Sequence, residues 1–357
     1  MASNAAPAAP ASVRIDAERL AAAVTDIFTA LGIARGDAAL VAHDIVLADL
    51  EGVASHGVML VPMYVDRILQ GSVSNKRQGE LVSDNRTAIV IDAGNALGQI
   101  TAHQAVTLAV ARAKEFGMAS VAVRNAFHFG TAGRYARLMA EQDCVGIVMS
   151  NTRPLMPATG GAEAITGNNP IAIALPSAGE FPVEVDMALS ATAMGKIRLA
   201  AAAGRDIPAD WAMAADGKPT TDPNEAIKGM LAPAAGPKGF GLAFVIDLLC
   251  GGLSGGAIGA EVRPLYGDPA EPYRCSQLFL AIYTGAFPAG ASFAKRVSEQ
   301  AQRVTDSKRA PGTSRLYAPG ELAHTTRLAN ADTCTLSRQT FDSLIAAAKK
   351  AGIDLKL

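Results

Sequence analysis

Strand-like and helix-like stretches alternate between residues 87 and 305. This alternation is the feature of the sequence that most restricts which folds the chain can adopt. Short apolar runs of strand length occur at Thr87–Ala93, Met118–Arg124 and Cys144–Ser150. Longer segments with helical periodicity separate them. Such alternation is typical of a sheet covered by helices, so the sequence predicts an α/β domain.

The other predicted elements extend this pattern in both directions. Asp16 is expected to cap a helix that runs to about Leu31, and Gly36–Leu50 and Gly57–Leu69 have the pattern of two more helices. The remaining strands are predicted at Ile171–Leu175, Phe181–Val185 and Gln277–Tyr283, and the remaining helices at Ile100–Phe116, from about Gly133, and at Ala191–Ala203, Phe240–Leu253, Ala291–Val304 and Arg338–Ala351. We therefore expect a disordered tail at 1–12, a helical segment at 13–80 that packs with 306–357, and an α/β domain at 81–305.

Composition excludes several classes of protein. Half of the 357 residues are hydrophobic, which is too many for a disordered chain, and a formal net charge of −1 argues against a nucleic-acid-binding role. The four cysteines lie far apart and form no C-x-x-C pair, so a disulfide scaffold or a cysteine-ligated zinc site is not expected.

One apolar stretch, Gly239–Ala260, has about the length of a membrane span. Asp247 interrupts it and glycines crowd its second half, so it is interpreted as a buried helix followed by a loop. The alanine- and proline-rich start of the chain lacks the basic and apolar regions of a signal peptide. A cytoplasmic protein is the expectation.

Two familiar nucleotide-binding signatures are absent. The segment Lys238–Phe244 begins like G-x-G-x-x-G, but Phe244 stands where the third glycine should be. Gly195 and Lys196 are followed by Ile197, where a P-loop requires serine or threonine. Neither a conventional Rossmann site nor a P-loop is expected.

Histidine is scarce, so the placement of its five copies is informative. His128 follows the apolar strand that ends near Arg124, where a side chain can reach a cleft at the sheet edge and exchange a proton near neutral pH. Ser55 and His56 precede a predicted helix start that suits an anionic group. Equally ordinary roles remain open: a structural His128, and a Ser55 that only caps the helix beside a surface His56.

Two charged residues are further candidates. Asp186 follows a short strand and could orient a histidine or bind a ribose hydroxyl. Lys238 stands before a hydrophobic helix, where a cation beside free amide groups suits a phosphate or carboxylate. His56, His128 and Asp186 could instead form a two-histidine, one-carboxylate metal triad, although their spacing does not favour it.

Five long segments carry a family resemblance: Asp49–Ile68, Val123–Ala136, Gly160–Pro176, Asp186–Pro223 and Pro233–Gly255. In this order they resemble the malate/L-lactate dehydrogenase family of the second type. That family includes ureidoglycolate, sulfolactate and diketogulonate dehydrogenases, and also reductases of piperideine-2-carboxylate. The resemblance covers most of the chain between residues 16 and 320.

The resemblance implies a fold, a cofactor and roles for individual residues. The implied fold is a non-Rossmann α/β arrangement whose cofactor domain has a mixed or largely antiparallel sheet, beside a helical domain formed by the N- and C-terminal segments. The implied assembly is a homodimer whose active site draws on both subunits, and the implied cofactor is NAD, with NADP not excluded. His128 would be the acid/base, Ser55 and His56 would contact the substrate, and the cofactor would be contacted by Thr152, Asp186, Met187, Ala188, Lys238 and Gly239.

The sequence departs from the family at Leu60. The family usually has S-H-G-x-x-R, with an arginine that can bind a substrate carboxylate in a bidentate fork, but this chain reads SHGVML. We expect Arg153 or Arg274 to replace the missing guanidinium. The other interpretation is a bulkier or less anionic substrate.

The residues leave several activities open. The leading hypothesis is NAD(P)-dependent interconversion of a 2-hydroxy acid and its 2-oxo acid, with malate, lactate or ureidoglycolate as model substrates. Reduction of a cyclic or N-alkyl imine carboxylate also needs an acid and remains the alternative. A metal-dependent lyase and a relative that only binds its ligand are less favoured.

Overall fold

The computed structural model describes residues 12–357, so the predicted tail at 1–12 lies outside the described residues except for Ser12, which opens a strand. Strands β1 to β13 are Ser12–Asp16, Glu80–Asn85, Ala88–Asp92, Met118–Ala126, Cys144–Ser150, Met156–Pro157, Ala164–Thr166, Ile171–Leu175, Val183–Met187, Ala212–Met213, Met230–Leu231, Cys275–Tyr283 and Thr333–Ser337. Helices α1 to α11 are Ala17–Ala30, Arg35–Leu50, Val61–Leu69, Gly98–Phe116, Ala132–Ala140, Met194–Ala202, Pro223–Lys228, Pro237–Asp247, Gly290–Thr305, Glu321–Asn330 and Arg338–Lys350.

A seven-stranded sheet in the order β2-β3-β4-β12-β5-β8-β9 forms the centre of the fold. Only β3 and β4 run parallel, and every other neighbouring pair is antiparallel. The late strand β12 lies between β4 and β5, with Phe279 opposite both Val121 and Val148. The predicted mixed, largely antiparallel α/β sheet is confirmed. The division into domains at residues 81 and 305 stays a prediction.

The central strands of the sheet are buried on both faces because they are apolar at successive positions. Val121 and Phe279 belong to the larger core, which also contains residues of α1 to α5 and α11. Their neighbours Ala122 and Leu278 point to the opposite face, where they pack with residues of α6 and α8. Neighbouring residues of a strand point to opposite faces of the sheet. A strand that is buried on both faces therefore needs apolar residues at successive positions, which makes it a continuous hydrophobic run.

The two ends of the described chain meet. Strand β1 pairs antiparallel with β13, with Ile15 opposite Cys334, and α11 contacts α3. Asp16 caps α1 as expected, because its carboxylate accepts a hydrogen bond from the Arg19 amide at 2.9 Å. These pairings bring the N-terminal helices and the C-terminal helix onto the same side of the molecule as the larger core.

Several predicted elements differ from the structure at their ends. The helix expected from Gly57 begins only at Val61, after two 3₁₀ turns, because Gly57 has an extended backbone. The strand expected from Phe181 begins at Val183, since Pro182 has no amide hydrogen for the ladder. Helix α8 ends at Asp247 and continues as a turn of π-helix. None of the helices within residues 12–357 is both long and apolar enough to cross a bilayer.

Candidate active site

Two imidazoles from separate segments lie face to face. His56 ends the 3₁₀ turn Ala54–His56 after α2, and His128 lies on the loop that leaves β4. Their ring centroids are 5.6 Å apart and the planes differ by 22°. Ser55 Oγ lies 3.0 Å from His56 Nδ1. The structure therefore brings together the three residues that the sequence proposed for the substrate and the proton.

Tyr64, on the buried face of α3, is hydrogen-bonded to His128. Its hydroxyl lies 2.8 Å from His128 Nδ1 and 3.1 Å from the His128 carbonyl oxygen, and Gln99 Nε2 donates to it at 3.2 Å. The Gly130 amide also donates to Nδ1, at 3.4 Å, so two neighbours occupy this nitrogen. Nε2 is then the atom left to exchange a proton. The sequence analysis missed Tyr64, whose one signal is a hydroxyl on the apolar face of an amphipathic helix.

Burial makes both imidazoles weak bases. It lowers the pKa of His128 to about 3, with the nearby charge of His56 as the second cause. Burial also lowers the pKa of His56 below its usual value. Both rings are therefore neutral at pH 7 in the free protein. A neutral His128 can accept a proton at Nε2, as a general base must.

Asp49, on α2, supports the turn that carries Ser55 and His56. Its Oδ2 accepts a hydrogen bond from the Val58 amide at 2.8 Å. A Cβ at Gly57 would collide with the same carboxylate, so a larger residue there would displace Asp49 from this contact. Burial raises the pKa of Asp49 to about 6, although the Val58 amide opposes the rise.

The segments proposed for cofactor binding converge through a chain of hydrogen bonds. Thr152 Oγ1 donates to Asn168 Oδ1 at 2.9 Å, and the Asn168 carbonyl accepts from the Leu189 amide at 2.7 Å. The Leu189 carbonyl in turn accepts from the Ala234 amide at 2.9 Å. The loop after β5, the end of β9 and the approach to α8 are thus tied together. Met187 ends β9 and Ala188 follows it, and both are exposed.

Asp186 lies beside a charged network at the end of β9. It accepts a hydrogen bond from the Gly133 amide at 2.8 Å. Arg137 binds Glu184 at 2.9 and 3.2 Å and Glu51 at 2.8 Å through both carboxylate oxygens. Desolvation raises the pKa of Asp186 to about 6, the Gly133 amide opposes it, and the Glu184 charge adds to it. A Cβ at Gly133 would meet the Glu184 carboxylate, so a larger residue there would displace Glu184 from its ion pair with Arg137.

These donor and acceptor groups fit a nicotinamide dinucleotide. Lys238 is exposed in the first turn of α8, which follows Gly236 at a φ of 60°. A cation at a helix start suits the diphosphate, while the Asp186 carboxylate and the Thr152 hydroxyl can bind hydroxyl or amide groups. Gly239 has a packing role, because a Cβ there would collide with the Ala234 carbonyl.

The two arginines proposed to replace the family guanidinium occupy different positions. Arg153 follows Thr152, is exposed, and donates to the Pro154 carbonyl at 3.4 Å. Its charge opposes the burial that raises the pKa of Tyr273, whose ring packs edge-on against Phe127 at 6.3 Å. Arg274 is exposed just before β12, with a φ of 59°.

Leu60 and the proposed metal triad give two negative findings. Leu60 is 1% exposed and belongs to the larger core, so it offers no polar group to a ligand. Within residues 12–357, no three side chains of His, Cys, Asp or Glu are placed to hold a metal ion together. His56, His128 and Asp186 do not form such a group.

Comparison with known proteins places the chain in a family. The model of the malate/L-lactate dehydrogenase family matches residues 15–345. The L-sulfolactate dehydrogenase of Methanocaldococcus jannaschii is 34% identical over 93% of this chain and 96% of its own length. Its structure superimposes with a TM-score of 0.90, over 96% of this chain and 98% of that one.

Other relatives differ in substrate and cofactor. The ureidoglycolate dehydrogenase (NAD(+)) of Escherichia coli K12 is 33% identical over 87% of this chain and 88% of its own. The (2R)-3-sulfolactate dehydrogenase (NADP(+)) of Chromohalobacter salexigens is 34% identical over 84% and 89%. The delta1-piperideine-2-carboxylate reductase of Pseudomonas syringae is 28% identical, with a TM-score of 0.84 over 94% of this chain and 100% of that one. Sequence and structure agree along nearly the whole chain, which is an oxidoreductase of the malate/L-lactate dehydrogenase family.

Proposed function

We propose that the protein is an NAD(P)-dependent dehydrogenase that interconverts a 2-hydroxy acid and its 2-oxo acid. The observation that carries the proposal is the stacked pair of His56 and His128, with Tyr64 bound to Nδ1 of the latter. In this arrangement Nε2 of the half-buried His128 is the nitrogen free to exchange a proton. Relatives named for sulfolactate and ureidoglycolate support the substrate class.

In the proposed mechanism, the chain handles the proton and the orientation of the substrate. The bound nicotinamide supplies or accepts the hydride. During oxidation, His128 Nε2 takes the hydroxyl proton of the substrate, and during reduction it returns a proton to the oxo oxygen. Ser55 and His56 donate hydrogen bonds that orient the substrate beside His128. Stacking of the two rings keeps that orientation fixed.

The proposed cofactor contacts use donor and acceptor groups on the loop after β5, at the end of β9 and at the start of α8. Lys238 would bind the diphosphate at the start of α8. Asp186 and Thr152 would bind hydroxyl or amide groups, and the Met187–Ala188 backbone would line the nicotinamide end. Gly239 would keep the first turn of α8 close to Ala234.

A homodimer with a shared active site is the proposed assembly. An exposed apolar surface on α8 and the turn that follows it supports an interface there: its members are Leu242, Phe244, Val245, Leu248 and Leu253, each more than 40% exposed in the single chain. Exposed apolar patches of this kind commonly mark protein contacts. This surface immediately follows Lys238 and Gly239, so a second subunit seated on it would adjoin the cofactor segments.

The alternative is an imine reductase, and the structural similarity to a piperideine-2-carboxylate reductase favours keeping it. Protonation of an imine nitrogen would use the same His128 nitrogen. A metal-dependent lyase would bind stoichiometric metal, and a relative that only binds its ligand would show no turnover. Metal analysis and a substrate panel separate these cases from the dehydrogenase.

Fluorescence titration of the metal-free protein with NADH and NADPH tests the proposal. We expect saturable binding of at least one, followed by its oxidation when a 2-oxo acid such as pyruvate or oxaloacetate is added. Turnover with cyclic imines alone would support the alternative. Binding of neither cofactor by the folded protein would contradict the proposed function.

Replacement of Arg153 tests how the substrate carboxylate is bound. If Arg153 provides the missing guanidinium, Arg153→Ala should raise the KM for the 2-oxo acid by about tenfold or more, because a charge-assisted hydrogen bond is lost. The KM for the cofactor should stay within about twofold. Arg274→Ala measures the competing candidate, and Arg35→Ala, at an exposed arginine 69% accessible, is the control. Unchanged kinetics in both candidate variants would contradict the idea that Arg153 or Arg274 takes the role of the family arginine, in whose position this chain has Leu60.

A further inference from the structure

Asp247, the last residue of α8, is a buried carboxylate whose hydrogen-bond donors are uncharged. It is 2% exposed. Oδ1 accepts a hydrogen bond from Asn151 Nδ2 at 2.9 Å, and the Gly259 amide lies 3.3 Å from Oδ1 and 3.2 Å from Oδ2. Thr166 Oγ1 donates to Oδ2 at 3.4 Å. A carboxylate is costly to bury without a cation, so these donors must replace most of its hydration.

Asn151 links this carboxylate to the loop after β5. It is fully buried and directly precedes Thr152, one of the residues proposed to contact the cofactor. Besides its bond to Asp247, Nδ2 donates to the Ala257 carbonyl at 2.8 Å, and Oδ1 accepts from the Ser276 amide at 2.7 Å. Both hydrogens of the side-chain amide and its oxygen are therefore engaged, which fixes the point from which the loop departs.

A second path connects Asp247 to Thr152 through two further buried side chains. Asn169 Oδ1 accepts a hydrogen bond from the Thr152 amide at 2.8 Å. Asn169 Nδ2 donates to Thr166 Oγ1 at 3.1 Å and to the Ala243 carbonyl at 2.9 Å. Because the Thr166 hydroxyl accepts from Asn169, its own hydrogen is available to Asp247. The direction of both hydrogen bonds therefore depends on an acceptor at residue 247.

The same helix carries the residue proposed for the diphosphate. Lys238 lies in the first turn of α8, while Ala243 and Asp247 are four residues apart and both bind the side chains that hold Thr152. A turn of π-helix, Leu248–Gly252, begins directly after Asp247, and such turns are frequent at functional sites. The helix that presents Lys238 is therefore bonded, near its other end, to the loop that presents Thr152.

We propose that Asp247 is a positioning residue for the cofactor: its carboxylate holds the Thr152 loop against α8, so that Thr152 and Lys238 can contact the same dinucleotide. The proposal rests on the cofactor roles proposed above for these two residues. At 2% exposure Asp247 is not accessible to the dinucleotide, so it acts through the side chains that bind it. Its loss should therefore weaken cofactor binding and leave the proton transfer intact.

Asp247→Asn in the full chain tests the proposal. The variant keeps the volume of the side chain but replaces one acceptor oxygen by a donor, which then faces a hydrogen of Asn151, Gly259 or Thr166. We expect the dissociation constant for NADH, or for NADPH if the parent prefers it, to rise about tenfold. The KM for the 2-oxo acid and the kcat at saturating cofactor should stay within about twofold of the parent. Asp342→Asn, at a side chain 56% exposed on α11, is the matched control.

A double-variant cycle measures whether the effect passes through Thr152. Thr152→Val removes the hydroxyl at nearly constant volume. If Asp247 acts by placing this hydroxyl, Asp247→Asn should change the cofactor affinity by less than about twofold in the Thr152→Val background. Thr166→Val interrupts the second path alone and should weaken cofactor binding about threefold. It also tests the proposal if Asp247→Asn does not fold.

Two results would overturn the positioning role and leave the proposed function standing. One is parental cofactor affinity in Asp247→Asn, or in Thr166→Val if the first variant does not fold, even where the melting temperature falls. A merely structural role lowers stability without changing the affinity of the folded protein. The other is an equal loss of affinity with and without the Thr152 hydroxyl. Binding of neither cofactor by the parent protein would instead contradict the proposed function and this inference together.

Discussion

His128→Asn should reduce kcat by about a thousandfold, because a positioned general acid/base contributes about 10²–10⁴ to the rate. Asparagine preserves a polar group of similar size beside Tyr64 but cannot exchange a proton near neutral pH. NADH binding should be retained, since the proposed cofactor contacts lie on other segments. Steady-state kinetics with the preferred 2-oxo acid and fluorescence titration with NADH measure the two effects separately.

His43→Asn is the matched control, because the His43 side chain is 62% exposed on α2. A kcat within about twofold of the parent in that variant would show that histidine loss alone is tolerated. If His128→Asn retained the parental kcat, His128 would not be the acid/base. A loss of NADH binding in the same variant would instead mean that His128 supports the cofactor site.

The lowered pKa of His128 also fixes the direction of the pH dependence. In the proposed mechanism, reduction requires the protonated imidazole, and with a pKa of about 3 its population falls about tenfold for each pH unit above that value. The kcat/KM for reduction by the parent protein should therefore rise as the pH falls from 8.5 to 6.5, with a slope near one. Oxidation uses the neutral imidazole and should show no such loss with increasing pH.

Much of the sheet could be predicted from the sequence, because its strands are local apolar runs bounded by turn residues. The strands Cys144–Ser150 and Ile171–Leu175 have the predicted ends. Strands β1 and β13 were missed because each is short and is stabilised only by pairing with the other end of the chain. The exposed edge strand β2 was missed for a similar reason, since it lacks the apolar face that identifies a strand.

In the site, too, the features set by the local sequence could be predicted, and those set by long-range packing could not. His128 and the Ser55–His56 pair could be proposed individually from their positions after a strand and before a helix. Their stacking depends on how α2 and the loop after β4 pack, which no local pattern contains. In the sequence, Tyr64 looks like an ordinary residue on the apolar face of a helix. Its role becomes visible only when His128 is brought alongside α3.

The second large effect is expected from Tyr64→Phe. This variant keeps the ring and its packing against Phe127 but removes the hydroxyl that binds His128 Nδ1 and receives the Gln99 amide. Three polar groups, His128 Nδ1, the His128 carbonyl and Gln99 Nε2, then lose this partner, and a buried polar group left unpaired typically costs about 1–3 kcal/mol. We expect kcat to fall by about a hundredfold, which corresponds to about 2.7 kcal/mol, while the KM for the cofactor is unchanged.

Tyr135→Phe separates positioning from stability in this experiment. Tyr135 is equally buried, and its hydroxyl donates to the Phe129 carbonyl rather than to His128. Both variants should lose comparable stability in urea, but only Tyr64→Phe should lose turnover. Nitrogen NMR of His128 provides the decisive reading, because the balance between its two tautomers should shift in Tyr64→Phe but not in Tyr135→Phe. Equal losses of kcat in the two variants, or an unaltered balance of tautomers in both, would mean that Tyr64 supports the fold and not the proton transfer.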